Sequence, residues 1–175
     1  MKHIEPKYQG KWREERAEKG AINAFKACYY IIAWVVGYYF LRDIDALPSS
    51  LLGHGDLSKM MDEYPFWTKP AYFDLFFTAS IGYHLEGFVN HAINGKGRGD
   101  YIEMFLHHAA TTALIITSHL ANCQKGGAII LWLHCWSDIF TSSTRMVMDI
   151  KSRARDYLYI SILVTWAYTR LYIFF

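Results

Sequence analysis

Five long apolar runs, at about residues 21–41, 71–90, 101–120, 126–147 and 157–175, constrain this chain more than any short motif does. Each is close to the ~20 residues with which a helix crosses a hydrocarbon core of about 30 Å. The fold they predict is all-α, a polytopic membrane helix bundle of about five transmembrane helices. Residues 1–20 then form a charged N-terminal tail, and residues 21–175 form one transmembrane domain. A soluble bundle would need a polar face on every helix, and the first and last runs have almost none. Hydrophobic residues make up 53% of the chain and aromatics 17%, more than a soluble domain of this length usually needs. Tyrosines and tryptophans gather near the ends of the runs, as at Tyr38, Tyr39, Trp67 and Tyr101, where an interfacial belt would lie.

Charge orients the bundle and excludes some partners. The tail and the second and fourth connectors carry eleven Lys and Arg, among them Lys2, Lys7, Arg98, Lys151 and Arg155. The opposite connectors carry four: Arg42, Lys59, Lys69 and Lys125. This bias predicts a cytosolic N-terminus, or one in an equivalent compartment. A net charge of +2, without basic residues interleaved with a stacking surface, gives no reason to expect nucleic acid. Residues 1–20 lack the apolar core of a cleavable signal peptide. Residues 11–19 mix Lys and Glu, which reads as a solvated amphipathic helix ahead of the first span. The connector 42–70, with its Gly, Pro and Ser, reads as an ordered loop or a re-entrant cover. Cys28, Cys123 and Cys135 are odd in number and form no CxxC pair, which argues against a disulfide framework or a thiolate zinc site.

Polar residues inside the apolar runs carry the functional signal. Spans two to four hold Asp74, His84, Glu86, Glu103, His107, His108, His119, His134 and Asp138. A charge near the bilayer centre costs about 2.5–3.5 kcal/mol on insertion scales, so such groups face a cavity or a partner. Pairing between helices would account for single members of this set. The group in spans three and four asks for a use. His134 and Asp138 stand four residues apart and share a helix face. His107 and His108 are adjacent and point about 100° apart. Glu103 and Thr111 lie one turn either side of His107, and Thr112 one turn beyond His108. A carboxylate that orients an imidazole is a recurring device in acyl transfer, with histidine as base or nucleophile.

At these residues the sequence resembles the TLC-domain family, and within it the ceramide synthases, which acylate sphingoid bases from fatty acyl-CoA. The resemblance rests on His107-His108, then Asn122, Lys125 and Gly127, then His134-Cys135-x-x-Asp138, then Arg145. Tyr64-Pro65 and Lys69-Pro70 before the second span, and Thr169-Arg170-Leu171 in the last, extend it over most of the chain. It implies a helical barrel enclosing an acyl-chain tunnel, with acyl-CoA as substrate and no resident cofactor. His107, His108, His134 and Asp138 would be the catalytic set, and Asn122, Lys125, Gly127 and Arg145 would support the motif. One of the paired histidines would take the acyl group or remove the amine proton. The resemblance also implies the endoplasmic reticulum, the mitochondrial inner membrane being the alternative for a short subunit with a basic tail.

Several positions depart from the family pattern. Cys135 stands where the family has Asp, and a thiol cannot replace the fixed charge of a carboxylate. His119, Ser142 and Asp149 replace residues more usual there, and the sequence stops at Phe175 where the family continues for roughly two spans. On these grounds the sequence favours a reduced, non-catalytic TLC-fold protein, a lipid-binding or structural subunit of a larger membrane assembly. Its partners would then be membrane lipids and other membrane subunits. An active sphingoid base N-acyltransferase is the alternative. A histidine-ligated membrane metalloprotein is a third reading, using His84, His91, His107, His108 and His134, yet these form no HxxxH or HxxHH box.

Overall fold

The computed structural model describes residues 11–147, apart from 98 and 100, and residues 153–169. Lys2, Lys7, Arg98, Asp149, Lys151, Arg170 and Leu171 lie outside the described residues, as does the Arg155 side chain. The described residues form five α-helices: α1 (Lys11–Leu41), α2 (Phe73–Asn94), α3 (Tyr101–Leu120), α4 (Gln124–Val147) and α5 (Arg153–Ala167). The described residues contain no strand, only an isolated bridge between Pro48 and Gly55. The all-α reading of the apolar runs therefore holds.

The charged segment from Lys11 and the first apolar run form one continuous helix of 31 residues. Among the described residues, α1 alone is long and apolar enough to cross a membrane by length and composition. Polar residues lower the mean hydropathy of α2 and α3: Asp74, His84, Glu86 and His91 in the first, Glu103, His107, His108 and His119 in the second. Leu85, Val89 and Ile93 form an exposed stripe on α2, and Ile102, Leu106 and Leu114 are exposed on α3. His84, Phe88, His91, Phe105, His108 and Thr112 lie along the seam between the two helices, while His107 is exposed. Exposed aliphatic stripes of this extent are a liability in water and the proper surface toward lipid.

Contacts divide the chain into two compact units, Met1–Val36 with Trp132–Phe175, and Gly37–Leu131. In the first unit the indoles of Trp34, Trp132 and Trp136 pack together. Trp34 stacks on Trp132 at 5.4 Å between centroids and meets Trp136 edge-on at 5.5 Å. The Trp132 indole N–H donates to the Trp34 carbonyl at 2.9 Å, so a large apolar ring is buried without stranding its polar atom.

The second unit is built on an antiparallel hairpin of α2 and α3. Phe77 stacks on His119 (5.9 Å), Phe88 meets Phe105 (5.2 Å), and His91 meets both His108 (5.5 Å) and Tyr101 (5.2 Å). Between them, Thr112 donates its hydroxyl to the His84 carbonyl at 3.3 Å. Positions 77, 84, 88 and 91 face 119, 112, 108, 105 and 101, the three-and-four spacing of a packed helix seam. Residues 42–72 form an ordered cover, as the sequence predicts. Gly55 and Asp56 donate their amides to the Leu47 and Asp45 carbonyls at 2.7 and 2.9 Å, while Ile44, Leu47, Leu51 and Trp67 are buried beneath.

Candidate functional site

The paired histidines lie at the end of the hairpin nearest the α2–α3 connector. His107 is exposed, His108 is half-buried, and their rings are 5.6 Å apart at 62°. Two imidazoles of α2 flank them. His84 is buried and close enough to His107 to act on it electrostatically. His91 lies against His108 with the rings inclined at 46°. The seven-residue interval between His84 and His91 puts both on the seam stripe of α2. Four imidazoles therefore line one stretch of one helix pair. They do not converge as ligands: among the described residues no group of three or more His, Cys, Asp or Glu could hold a metal ion.

The threonines one turn from these histidines bond to backbone carbonyls. Thr111 gives its hydroxyl to the carbonyl of His107 at 2.9 Å, and Thr112 gives its own to that of His84. Both are backbone contacts, a common use of threonine in a helix, and neither fixes an imidazole. Glu103 is exposed and pairs with no imidazole among the described residues.

The Asn-Lys-Gly part of the signature builds the corner between α3 and α4. Asn122 adopts φ 56°, the left-handed conformation that ends a helix, and asparagine tolerates it better than most residues. A Cβ on Gly127 would lie 2.7 Å from Ser118 Cβ and 3.3 Å from Phe77 Cζ, so only glycine lets α4 approach α3 and α2 there. Gln124 donates its amide to His119 Nδ1, while its own oxygen is buried without a partner among the described residues.

Lys125 has a partner that its neighbourhood in sequence does not show. Its side chain is 5% exposed, and its ammonium donates to Asp45 Oδ1 at 2.9 Å and to the Asp62 carbonyl at 3.5 Å. It also lies 5.8 Å from the centroid of the Trp67 ring. Hydrogen bonding to this ammonium holds the Asp45 carboxyl below its ordinary value of 3.8. One sequence signal pointed to such a partner. A cation in the first turn of a helix opposes the helix dipole and needs compensation.

In the first unit, His134 and Asp138 are both half-buried on α4, one turn apart. Ser137 donates to the His134 carbonyl at 2.9 Å. Cys135 is 3% exposed, with the Asp138 carboxylate near enough to act on it electrostatically. Arg145 lies in the last turn of α4, where a cation complements the helix dipole.

A family model described as the TLC domain matches residues 19–175. The chain belongs to the TLC domain family. It is thus an all-α membrane protein. Among its TLC-domain relatives, sphingosine N-acyltransferase lag1 of Schizosaccharomyces pombe is 27% identical over 147 residues, 83% of this chain and 36% of the relative. Ceramide synthase 1 of Homo sapiens is 29% identical over 147 residues, 81% of this chain and 39% of the relative. Ceramide synthase hyl-2 of Caenorhabditis elegans is 26% identical over 160 residues, 91% of this chain and 46% of the relative. The chain spans less than half the length of these curated relatives.

Proposed function

We propose that this TLC domain serves a ceramide synthase-like N-acyltransfer, moving a fatty acyl group from acyl-CoA to the amine of a sphingoid base. One observation carries the reading: the His107–His108 pair stands on a helix hairpin with exposed aliphatic stripes, and His107 is open to its surroundings. The names of the relatives support the same chemistry. His107 would act in one of two ways. As nucleophile, its neutral nitrogen attacks the thioester carbonyl, coenzyme A leaves as thiolate, and the acyl-imidazole is then taken by the amine. As base, it removes the proton that the neutral amine loses on forming the amide and passes that same proton to the departing thiolate. Both routes consume one acyl-CoA and one amine and release one amide and one free thiol.

The supporting roles of His134 and Asp138, a location in the endoplasmic reticulum and further membrane subunits as partners belong to the same proposal. Cys135 favours a second reading, in which the chain binds lipid without catalysing transfer. The buried thiol supplies no fixed charge where the family pattern has Asp. Microsomes supplied with a long-chain base and acyl-CoA separate the two. Acyl transfer reduced by about 10²-fold or more in His107→Ala supports catalysis. Transfer equal in wild type and in both His107→Ala and His108→Ala overturns it. Binding of the long-chain base without turnover leaves the second reading standing.

A further inference from the structure

His91 is fixed more tightly than packing alone requires. Its Nε2 lies 3.1 Å from the Tyr101 carbonyl, which can only accept, so Nε2 carries the proton and donates it. The Tyr101 ring stacks on the imidazole at 5.2 Å with an angle of 18°. From the other side the backbone at Gly95 closes in: a Cβ there would lie 2.9 Å from both Nδ1 and Cε1 of His91. A hydrogen bond and a ring stack, both to Tyr101, and the nearby backbone at Gly95 therefore restrict one ring. The free edge of that ring meets His108 at 5.5 Å. The backbone of α2 also comes close to His108, since a Cβ on Gly87 would lie 4.0 Å from its Cε1. His107, by contrast, is exposed.

Resting on the acyltransfer reading above, we propose that His91 is a positioning residue. Clamped by Tyr101 and Gly95, it fixes the ring of His108 and so divides the histidine pair into an oriented member and a reacting one, His107. A ring held on one face by a clamped neighbour loses rotamer freedom before substrate arrives, and this preorganisation raises the rate without changing affinity. The expected consequence of losing His91 is a fall in kcat of about 10- to 100-fold with KM little altered.

The test uses the full chain in mild detergent with two readouts. The first is acyl transfer, with kcat and KM measured separately. The second, independent of turnover, is the rate at which diethyl pyrocarbonate carbethoxylates His107 and His108, mapped by mass spectrometry. His91→Phe keeps a ring of similar size and loses the donor; His91→Gln keeps a donor for the Tyr101 carbonyl. Gly95→Ala pushes a Cβ against the His91 ring and displaces it without substituting any histidine. In His91→Phe and Gly95→Ala we expect His108 to react several-fold faster while His107 keeps its rate, and we expect His91→Gln to recover part of the kcat lost in His91→Phe. An unchanged His108 rate in both Phe and Ala variants overturns the positioning role, whether or not acyl transfer is seen. A faster His108 in His91→Phe and Gly95→Ala, with no acyl transfer by the wild-type protein, keeps the positioning role and overturns the acyltransfer reading. A variant that fails to fold exposes both histidines alike, and equal acceleration of His107 and His108 in every folded variant also overturns the proposal.

Discussion

The two ends of the α2–α3 hairpin use residues of one sequence signature for different purposes. Toward the α2–α3 connector the seam is made of His84, His91, His107 and His108, and one of these imidazoles is open to the surroundings. Toward the α3–α4 corner the seam closes on Phe77 and His119, and Asn122, Lys125 and Gly127 hold the chain in a tight turn. Under the acyltransfer reading, a motif read as one block divides into a reactive half and an architectural half. Substitutions should therefore sort by end: at the histidine end they should cost rate, and at the corner they should cost stability.

The largest expected effect is on rate. His107→Ala should lower acyl transfer by about 10²- to 10⁴-fold while shifting unfolding by no more than about 0.5 kcal/mol, because the side chain is exposed. A loss of stability comparable to the loss of rate, in a detergent melt, would break the comparison. Next comes the corner. Gly127→Ala should destabilise by about 1–3 kcal/mol, since the new Cβ meets Ser118 Cβ at 2.7 Å. Its neighbour sharpens the point. In Gly126→Ala the Cβ would meet Met60 Sδ at 2.6 Å, the far end of a flexible side chain, so the cost should stay below about 1 kcal/mol. Equal effects at the two glycines would show that helix approach is not what the corner demands.

The ion pair beneath the cover comes third. Asp45→Asn should cost about 1–2 kcal/mol by leaving the Lys125 ammonium buried without its counter-charge, and the half-exposure of Asp45 keeps the figure modest. Adding Lys125→Met should recover part of that loss, because the uncompensated charge is then gone. A double variant as unstable as the sum of the singles would show that the two side chains act independently.

The smallest effect is with pH. The carboxyls of Asp45 and Asp56 are both held below 3.8, by the Lys125 ammonium and by the Ser58 backbone N–H respectively. A depressed carboxylate contributes stability above its unfolded value and loses it as pH falls through the folded one. Exchange of the Gly55 and Asp56 amides, taken relative to the intrinsic rate at each pH, should therefore stay constant from neutral pH down to about 4 and accelerate only below 3.8. Asp45→Asn should remove most of that step. Acceleration beginning well above pH 4 would mean that other groups hold the cover.

Several features were legible without coordinates because they depend on local sequence. Apolar runs of about a span each gave the five helices, and the Gly- and Pro-containing stretch 42–70 gave an ordered cover. The order His107-His108, Asn122, Lys125, Gly127 and His134-x-x-x-Asp138 was enough to reach the TLC domain family. Spacing alone does not assign side-chain partners. Thr111 and Thr112 stand at the right intervals from the histidines, but a threonine hydroxyl in a helix finds a carbonyl of the preceding turn or of a facing helix first.

By itself the sequence determined which segments are helical, that their exposed faces are apolar enough for lipid, and which imidazoles are available. Those properties follow from hydropathy and helical period, and both are written in consecutive residues. Only the tertiary structure decided that His91 meets His108, that Lys125 pairs with Asp45 eighty residues away, and that Gly127 is a point of contact. These depend on the register of one helix against another and on how the cover returns over the corner. Register is set by the sum of many packing contacts, and no local pattern in the chain records that sum.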